Sequence, residues 1–162
     1  MTLKERYKSQ FIYVTPGSGK TTLAKDYKVF YDSDDLMIEV IKEIHPEFPL
    51  INDQTIQEYI HEFVKKYKYK TKINKLALKR AKSLNQDGFT VLTGTLKLAK
   101  DADYVFVMKP ENPRIISRFK NIIESTKFYE LQINYFNENN IPFHILNMNL
   151  EDELFVKKSS ST

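Results

Sequence analysis

The chain contains no cysteine and no tryptophan. The absence of cysteine excludes disulfides and thiolate metal centres and is compatible with a reducing compartment. No apolar run approaches the ~18 residues that a membrane-spanning helix requires. The first residues, Thr2–Arg6, are too polar for the apolar core of a signal peptide. We therefore expect a cytoplasmic protein that has no membrane partner.

Composition and length are typical of one globular domain. The chain has 162 residues, of which 41% are hydrophobic, enough for a core that needs no covalent staples. Its formal net charge of +4 is small. It favours anionic ligands but does not by itself indicate that the protein binds nucleic acid. We expect a single domain over residues 1–156, followed by a polar, flexible tail over residues 157–162.

Glycine is scarce, and two of the four glycines lie close together behind an apolar run. The run Phe11–Val14 precedes the segment Pro16-Gly17-Ser18-Gly19-Lys20-Thr21-Thr22. This segment follows the phosphate-binding pattern G-x-x-x-x-G-K-[ST], except that Val14 stands where the first glycine belongs. Because Val14 is β-branched, we expect the chain to stay extended at that point. An ordinary glycine- and serine-rich turn would not need a lysine and two threonines at these offsets.

The chemistry of such a loop predicts its ligand. Backbone N–H groups of the loop cradle the phosphates of a nucleoside triphosphate. Lys20 would reach the β- and γ-phosphates, and the hydroxyl of Thr21 would bind Mg²⁺. The sequence therefore predicts that ATP and Mg²⁺ bind at residues 16–22.

The pattern of apolar runs predicts an α/β fold. Five runs have the length and composition of strands: Gln10–Val14, Lys28–Tyr31, Phe89–Thr93, Asp103–Met108 and Pro142–Leu146. Most are continuously apolar, which is typical of parallel strands that are covered on both faces. Helical patterns lie between them, so we expect a three-layer sandwich around a five-stranded parallel sheet.

Helix boundaries follow from capping and breaking residues. A helix near Asp35–Ile44 would be capped by Asp34 or Asp35 and ended by His45-Pro46. Three further helices are predicted: one capped by Asp53 and running to Tyr67, one near Ile73–Asn85, and a long one over Pro113–Asn139 that is interrupted near Ser125-Thr126. Residues 36–88 are long for one crossover and predict a helical insertion over the site.

Two carboxylates follow the second predicted strand. Asp32 and Asp34 are two residues apart, so in an extended segment they project to the same side. The carboxyl ends of parallel strands share one edge of the sheet, which brings these residues towards the loop at 16–22. One carboxylate would hold a magnesium-bound water, and the other would accept the proton of an attacking hydroxyl. The alternative is that these residues only cap a helix.

Cations later in the chain suggest phosphate contacts. Arg114 and Arg118 are one helical turn apart and share a face, and a planar guanidinium suits a transferring phosphoryl group. In the run 65–72, Lys65, Lys68 and Lys72 would align on a helix beside Tyr69, where lysines could bind backbone phosphates and the tyrosine could stack on a base. The alternative for both groups is a solvated helix face.

The sequence resembles the P-loop small-molecule and nucleotide kinases. Residues 16–22 resemble the loop of polynucleotide 5′-kinases and gluconate kinases, and Phe30-Tyr31-Asp32-Ser33-Asp34 resembles the second-strand motif of shikimate kinases. The resemblance implies that Asp32 works near Mg²⁺ and that Asp34 binds the acceptor hydroxyl. The segment Tyr104–Pro110, followed by Arg114 and Arg118, is similar to the fourth strand and arginine-bearing lid of that superfamily, here at about residues 110–130.

Two departures bear on the acceptor. The third predicted strand ends in Thr93-Gly94-Thr95, without the terminal aspartate of an ordinary Walker-B strand or the triple glycine of shikimate kinases. No arginine lies between Arg6 and Arg80, where those enzymes hold the substrate carboxylate. Shikimate is therefore not expected as the substrate, whereas Thr93 and Gly94 are still expected to approach the acceptor.

These features predict an ATP-dependent phosphotransferase. The favoured acceptor is a nucleoside monophosphate or a hydroxyl of nucleic acid, such as a 5′ end or a hydroxymethylated base. One alternative is a kinase of a non-nucleotide sugar or acid, and another is an ATPase or switch without an acceptor. The small size and the Lys/Asn/Ile-rich composition resemble viral enzymes of nucleotide metabolism or DNA modification, by analogy alone, which would place the protein in a host cytoplasm.

Overall fold

A single parallel sheet forms the centre of the molecule. The computed structural model describes residues 9–18, 20–48, 55–68 and 70–146, without the side chains of Thr21, Ile56, Gln57 and Lys70. The strands are β1 Phe11–Val14, β2 Phe30–Asp32, β3 Thr90–Thr93, β4 Tyr104–Met108 and β5 His144–Leu146. All neighbours are parallel, in the order β2-β3-β1-β4-β5. The predicted α/β class and five-stranded parallel sheet are confirmed.

Helices connect the strands. They are α1 Lys20–Asp26, α2 Ser33–Ile44, α3 Ile56–Tyr67, α4 Lys70–Gln86, α5 Pro113–Phe119 and α6 Ile122–Glu138, with a short 3₁₀ helix η1 at Leu96–Asp101. Among the described helices, none combines the length and the apolarity that a membrane crossing requires. The tail at 157–162 lies outside the described residues.

Alternating residues of β1 face two separate apolar layers. Ile12 and Val14 pack in one cluster with Leu23 of α1. On the opposite face, Phe11 belongs to the cluster formed with α2, α3 and α4, whereas Tyr13 packs with Phe136 of α6. Each strand residue therefore buries its side chain, which explains why the strand runs are continuously apolar. The helical insertion covers one half of one sheet face.

Helix α2 begins earlier than its sequence predicted. Strand β2 continues to Asp32, whose carboxylate accepts a hydrogen bond of 3.0 Å from the backbone N–H of Asp34. The prediction that Asp34 or Asp35 caps this helix was wrong, because Asp32 already satisfies the free N–H groups of its first turn. The predicted end is confirmed at the C-cap residue, His45.

Helix α3 begins with a capping box instead of the predicted aspartate cap. The side chain of Thr55 accepts from the N–H of Glu58, and the Glu58 side chain accepts from the N–H of Thr55. Asp53, the residue predicted to cap it, lies outside the described part of the chain. Because the reciprocal pair at Thr55 and Glu58 serves as the cap, the helix starts at Ile56.

The long helix predicted over residues 113–139 is two helices. The break lies at Lys120, which has a positive φ of 74°, and at Asn121, which caps α6. The prediction of a break near Ser125-Thr126 was wrong, because the buried Ser125 hydroxyl donates to the carbonyl of Pro110 at 2.8 Å. A serine that bonds outside its helix does not compete with the helical backbone.

The lysines of residues 65–72 do not share one helix. Helix α3 ends at Tyr67, and Lys68 adopts a left-handed conformation with φ 58° as its C-cap. Lys65 and Lys72 therefore belong to different helices, α3 and α4. The predicted alignment of Lys65, Lys68 and Lys72 was wrong because the chain turns at Lys68.

Candidate functional site

The loop after β1 starts from an extended residue. Val14 is the last residue of β1, lies in register with Phe106 and is fully buried. Its extended backbone does not need glycine, so the structure confirms the conformation predicted for this departure from the motif. The loop then turns, and the N–H of Ser18 donates to the carbonyl of Thr15 at 3.2 Å. Gly19, predicted to bind ATP, lies outside the described residues.

Gly17 lies directly against helix α5. Its φ is +90°, and a Cβ built on it would lie 2.8 Å from Cβ and 3.0 Å from Cγ of Arg118. Real Cβ atoms do not approach other atoms so closely, so both space and conformation require glycine here. Arg118 is thereby held against the loop. Arg114 approaches it only through its backbone carbonyl, 3.7 Å from the built Cβ.

Lys20 places a buried cation at the end of β3. The residue is only 7% exposed. A Cβ built on Gly94 would lie 3.3 Å from Lys20 Nζ and 3.0 Å from Pro16 Cγ, so the loop and the end of β3 are in contact. Within the described part of the chain, the ammonium makes no ion pair. A buried charge without a partner is costly, which makes this position one that an anion would stabilise.

A second polar group of the loop also lacks a partner. The Ser18 hydroxyl is fully buried, and no described residue makes a hydrogen bond with it. Most buried polar atoms in native proteins are bonded, so an exception is a mark of a ligand site or of strain. Ser18 therefore places a buried hydroxyl without a described partner, and Lys20 a cation without an ion pair among the described residues, in the segment that the sequence predicts to bind triphosphate.

The carboxylates after β2 occupy two different positions. Asp32 is buried at the strand end, whereas Asp34 is half-buried in the first turn of α2 and lines a cavity beside the loop, here called the central cavity. Because the helix begins at Ser33, the two residues are not in one extended segment, and that part of the prediction was wrong. Asp35 is exposed, and partial burial, followed by the charges of Asp32 and Glu39, raises its pKa above the ordinary value.

Thr93 joins the ends of two strands. Its hydroxyl oxygen accepts hydrogen bonds from the Ser33 hydroxyl at 2.9 Å and from the N–H of Thr95 at 3.2 Å. Thr93 is fully buried and does not line the central cavity, whereas Gly94 and Thr95 do. Thr93 therefore shapes the strand end from which Gly94 reaches the cavity.

The central cavity has a volume of about 520 Å³ and lies beside the loop. Its charged lining comes from Lys20, Asp34, Lys97 and Arg118. Its apolar walls come from α2, α3, α4, η1 and α6, through Met37, Ile60, Val64, Ile73, Leu96, Phe128 and Tyr135. A concave, mainly apolar space with a few convergent charged groups has the character of a small-molecule site.

The structure brings some of the predicted site residues together. Pro16, Lys20, Asp34, Gly94 and Arg118 line the same cavity. The remaining described residues of the prediction do not line it. Thr22, Lys65, Lys68 and Arg114 are exposed, Gly17 is half-buried, and Ser18, Asp32 and Thr93 are buried. Tyr69 and the side chain of Thr21 lie outside what the structure describes.

A buried polar network behind the loop was not found by sequence reasoning. Oε1 of Gln132 accepts from the Tyr13 hydroxyl at 2.7 Å and from the Thr15 hydroxyl at 2.9 Å. The Thr15 oxygen also accepts from the N–H of Met108 at 2.9 Å. Burial raises the pKa of Tyr13, which therefore remains a donor. One signal was available: Gln132 lies on an apolar stripe, four residues after Phe128 and four before Phe136.

Three further polar side chains at the cavity were also missed. His61 of α3, Asn74 of α4 and Lys97 of η1 line it, and in the sequence each is an isolated residue outside any motif. These three residues belong to separate elements and come together only when the chain folds.

The carboxyl ends of three strands lie at one edge of the sheet, where a Mg²⁺ ion would bind. The register pairs Asp32 with Leu92, and Leu92 with Ile12. A carboxylate and a hydroxyl are oxygen donors of the kind that Mg²⁺ prefers. Among the described residues, no group of three or more histidine, cysteine, aspartate or glutamate side chains could hold a metal. Asp32, buried at the end of β2, supplies one such carboxylate at this edge of the sheet.

A scan of protein-family models and a search of curated proteins found no match to this chain.

Proposed function

We propose that the protein is an ATP-dependent phosphotransferase. The observation that carries the proposal is the shared cavity of Lys20 and Asp34. A buried, unpaired ammonium would bind transferable phosphates, and a carboxylate beside it would receive the acceptor. The cavity supplies room for an acceptor, which favours transfer over simple ATP hydrolysis.

The donor half of the site would consist of the loop and its neighbours. Lys20 and the loop N–H groups would neutralise the phosphates, and the Ser18 hydroxyl would gain the partner that it lacks. Thr21 and Asp32 would hold Mg²⁺. When bound, this ion would offset the negative charge of the triphosphate.

The reaction would join an acceptor oxygen to the γ-phosphorus of ATP. The new O–P bond would form as the bond from the γ-phosphorus to the β–γ bridging oxygen breaks, and ADP would leave with that electron pair. For a hydroxyl acceptor, the proton would pass to the carboxylate of Asp34. Arg118, held against Gly17, would stabilise the charge on the transferring group.

The acceptor favoured by these residues is nucleotide-like, and a mononucleotide is favoured over a long nucleic-acid strand. Lys65 and Lys68 do not line the cavity, and Lys72 belongs to the next helix. The described residues of this segment therefore do not form a continuous basic helix face that could bind a nucleic-acid strand. A sugar or acid remains the alternative acceptor that the test must include.

The test is product analysis with γ-labelled ATP and Mg²⁺ across mononucleotides, nucleosides, oligonucleotides and polyols. We expect label on one acceptor class. Asp34→Asn should reduce this transfer by at least a hundredfold, because the carboxylate that takes the proton is lost, while ATP binding persists. Asp35→Asn, an exposed neighbour outside the cavity, is the control. Label found only in free phosphate would reject the proposal.

A further inference from the structure

Lys97 is a cation of the cavity that the donor half does not use. Lys20 and Arg118 belong to the loop side, because Lys20 begins helix α1 at the end of the loop and Arg118 packs on Gly17. Lys97 lies on η1, three residues after Gly94, is exposed and also lines the cavity. It forms no ion pair with another described residue. A ligand in this cavity would therefore meet Lys97 in addition to the two cations on the loop side.

Apart from Arg118, no arginine among the described residues lines the cavity. Arg80 is bound by Glu39 and Glu43 and does not line the cavity. Lys97 is therefore the cation that an anionic group on the acceptor would meet on this side. Lysine binds phosphate as a compact point charge, without the fixed planar fork of arginine.

The apolar walls of the cavity suit a flat ring with polar edges. Ile60 and Val64 of α3 and Ile73 of α4 give the cavity an apolar surface, and Phe128 of α6 adds an aromatic ring. The amide of Asn74 lines the same cavity and makes no hydrogen bond with the described residues. A carboxamide presents both a donor and an acceptor, which is the arrangement that pairs with the edge of a nucleobase.

We propose that Lys97 and Asn74 form the acceptor subsite, and that the acceptor is a nucleotide whose phosphate contacts Lys97 and whose base edge contacts Asn74. This inference rests on the proposed phosphotransferase activity and identifies the substrate class of that site. A neutral polyol would use neither the extra cation nor the flat apolar wall. The same chemistry is present in a free nucleoside monophosphate and in a nucleotide unit of a strand.

The first experiment measures binding without ATP. A nucleoside monophosphate, its neutral nucleoside and a short oligonucleotide are each titrated into the full chain by calorimetry. We expect Lys97→Ala to weaken binding of the monophosphate about tenfold or more, as loss of a charged contact does, and to leave the nucleoside unchanged. Lys100→Ala is the matched control, since Lys100 lies on the same 3₁₀ helix, is exposed and lines a different cavity.

The proposed contact between Asn74 and the base edge is tested by comparing affinities for nucleotides with the four different bases. Asn74→Ala should reduce the difference in affinity among the four bases, because the edge-reading amide is gone, while Lys75→Ala on the exposed side of α4 should keep it. If free monophosphate binds as well as the oligonucleotide, the substrate is the free nucleotide. If only the oligonucleotide binds, the substrate is a nucleotide unit of a strand.

The two proposals fail in different ways. Nucleotide binding that depends on Lys97 and Asn74, without any labelled acceptor from ATP, would overturn the phosphotransferase and keep the subsite. Transfer of label to a polyol, with no nucleotide binding, would overturn the subsite and keep the phosphotransferase. An equal effect of Lys97→Ala on nucleoside and monophosphate would also overturn the role of Lys97. Circular dichroism of each variant checks that it is folded.

Discussion

The Thr15 hydroxyl donates a hydrogen bond of 2.9 Å to Oε1 of Gln132, which links the residue before the loop at 16–22 to helix α6. Both side chains are buried, and the same Gln132 oxygen accepts from the Tyr13 hydroxyl. The end of β1 is thus fastened to the helix that carries two cavity residues, Phe128 and Tyr135. Gln132 therefore helps to fix the position of the loop relative to this wall, together with the packing of Tyr13 on Phe136.

Gln132→Met should be strongly destabilising. The substitution keeps a similar volume but leaves the hydroxyls of Tyr13 and Thr15 buried without their shared acceptor. We expect the free energy of unfolding to fall by roughly 2–4 kcal/mol, since each buried orphan group costs about 1–3 kcal/mol. Urea denaturation measures this change. Asn134→Met, at an exposed position of the same helix, serves as the control, and a loss below about 0.5 kcal/mol in Gln132→Met would contradict the network's role.

Gly17→Ala should combine backbone strain with displacement of α5. Its φ of +90° disfavours any side chain, and the new Cβ would meet Arg118. We expect a loss of about 1–3 kcal/mol from strain together with weaker ATP binding, because Arg118 must move from the loop. Gly88→Ala, where φ is +96° after the end of α4, is the control: it should lose stability but bind ATP normally. Equal ATP affinity in both variants would refute the loop–α5 coupling.

Asp32 caps helix α2 and is proposed to hold Mg²⁺, and two substitutions separate these roles. Asp32→Ala removes the helix cap and should cost about 0.5–2 kcal/mol of stability. Asp32→Asn keeps a capping oxygen and should cost much less, yet both variants lose the carboxylate proposed for Mg²⁺. We therefore expect both to require more Mg²⁺ for half-maximal transfer. Thermal unfolding and a Mg²⁺ titration measure the two effects; wild-type Mg²⁺ dependence in Asp32→Asn would leave Asp32 as a helix cap only.

Lys20→Met should stabilise the ligand-free protein and abolish its response to ATP. The substitution replaces a buried, unpaired charge with an apolar side chain of similar length, which is favourable in the absence of an anion. We expect Tm to rise in the apo protein and the Tm increase caused by Mg·ATP to disappear. Lys25→Met, exposed at the end of α1, should retain that increase. An ATP-induced shift preserved in Lys20→Met would rule out the donor site.

The sequence predicted the strands well because their signal is local. Each observed strand lies within two residues of its predicted bounds, since the buried runs are continuously apolar. Errors arose where tertiary partners decided the outcome. Ser125 looked like a helix breaker, but it bonds to Pro110, and the true break at Lys120 depends on a left-handed residue that no glycine marked.

The site could be predicted only where a motif fixed it. Lys20 and Asp34 follow directly from short patterns and line the same cavity. Asn74 and Lys97 could not be found, because their neighbourhood is created by packing α4 and η1 around the end of β3. The alignment predicted for the lysines near residue 68 was wrong for a related reason. It required one continuous helix, whereas the chain turns at Lys68 and a second helix follows.

We propose that the γ-phosphoryl group of ATP moves to an acceptor in this cavity. The most direct measurement is the ratio of ADP formed to phosphorylated acceptor formed, determined together by chromatography during turnover with a nucleotide acceptor. A phosphotransferase predicts a ratio of one, with both products lost in Asp34→Asn. ADP and free phosphate in equal amounts, with no phosphorylated acceptor, would contradict the account.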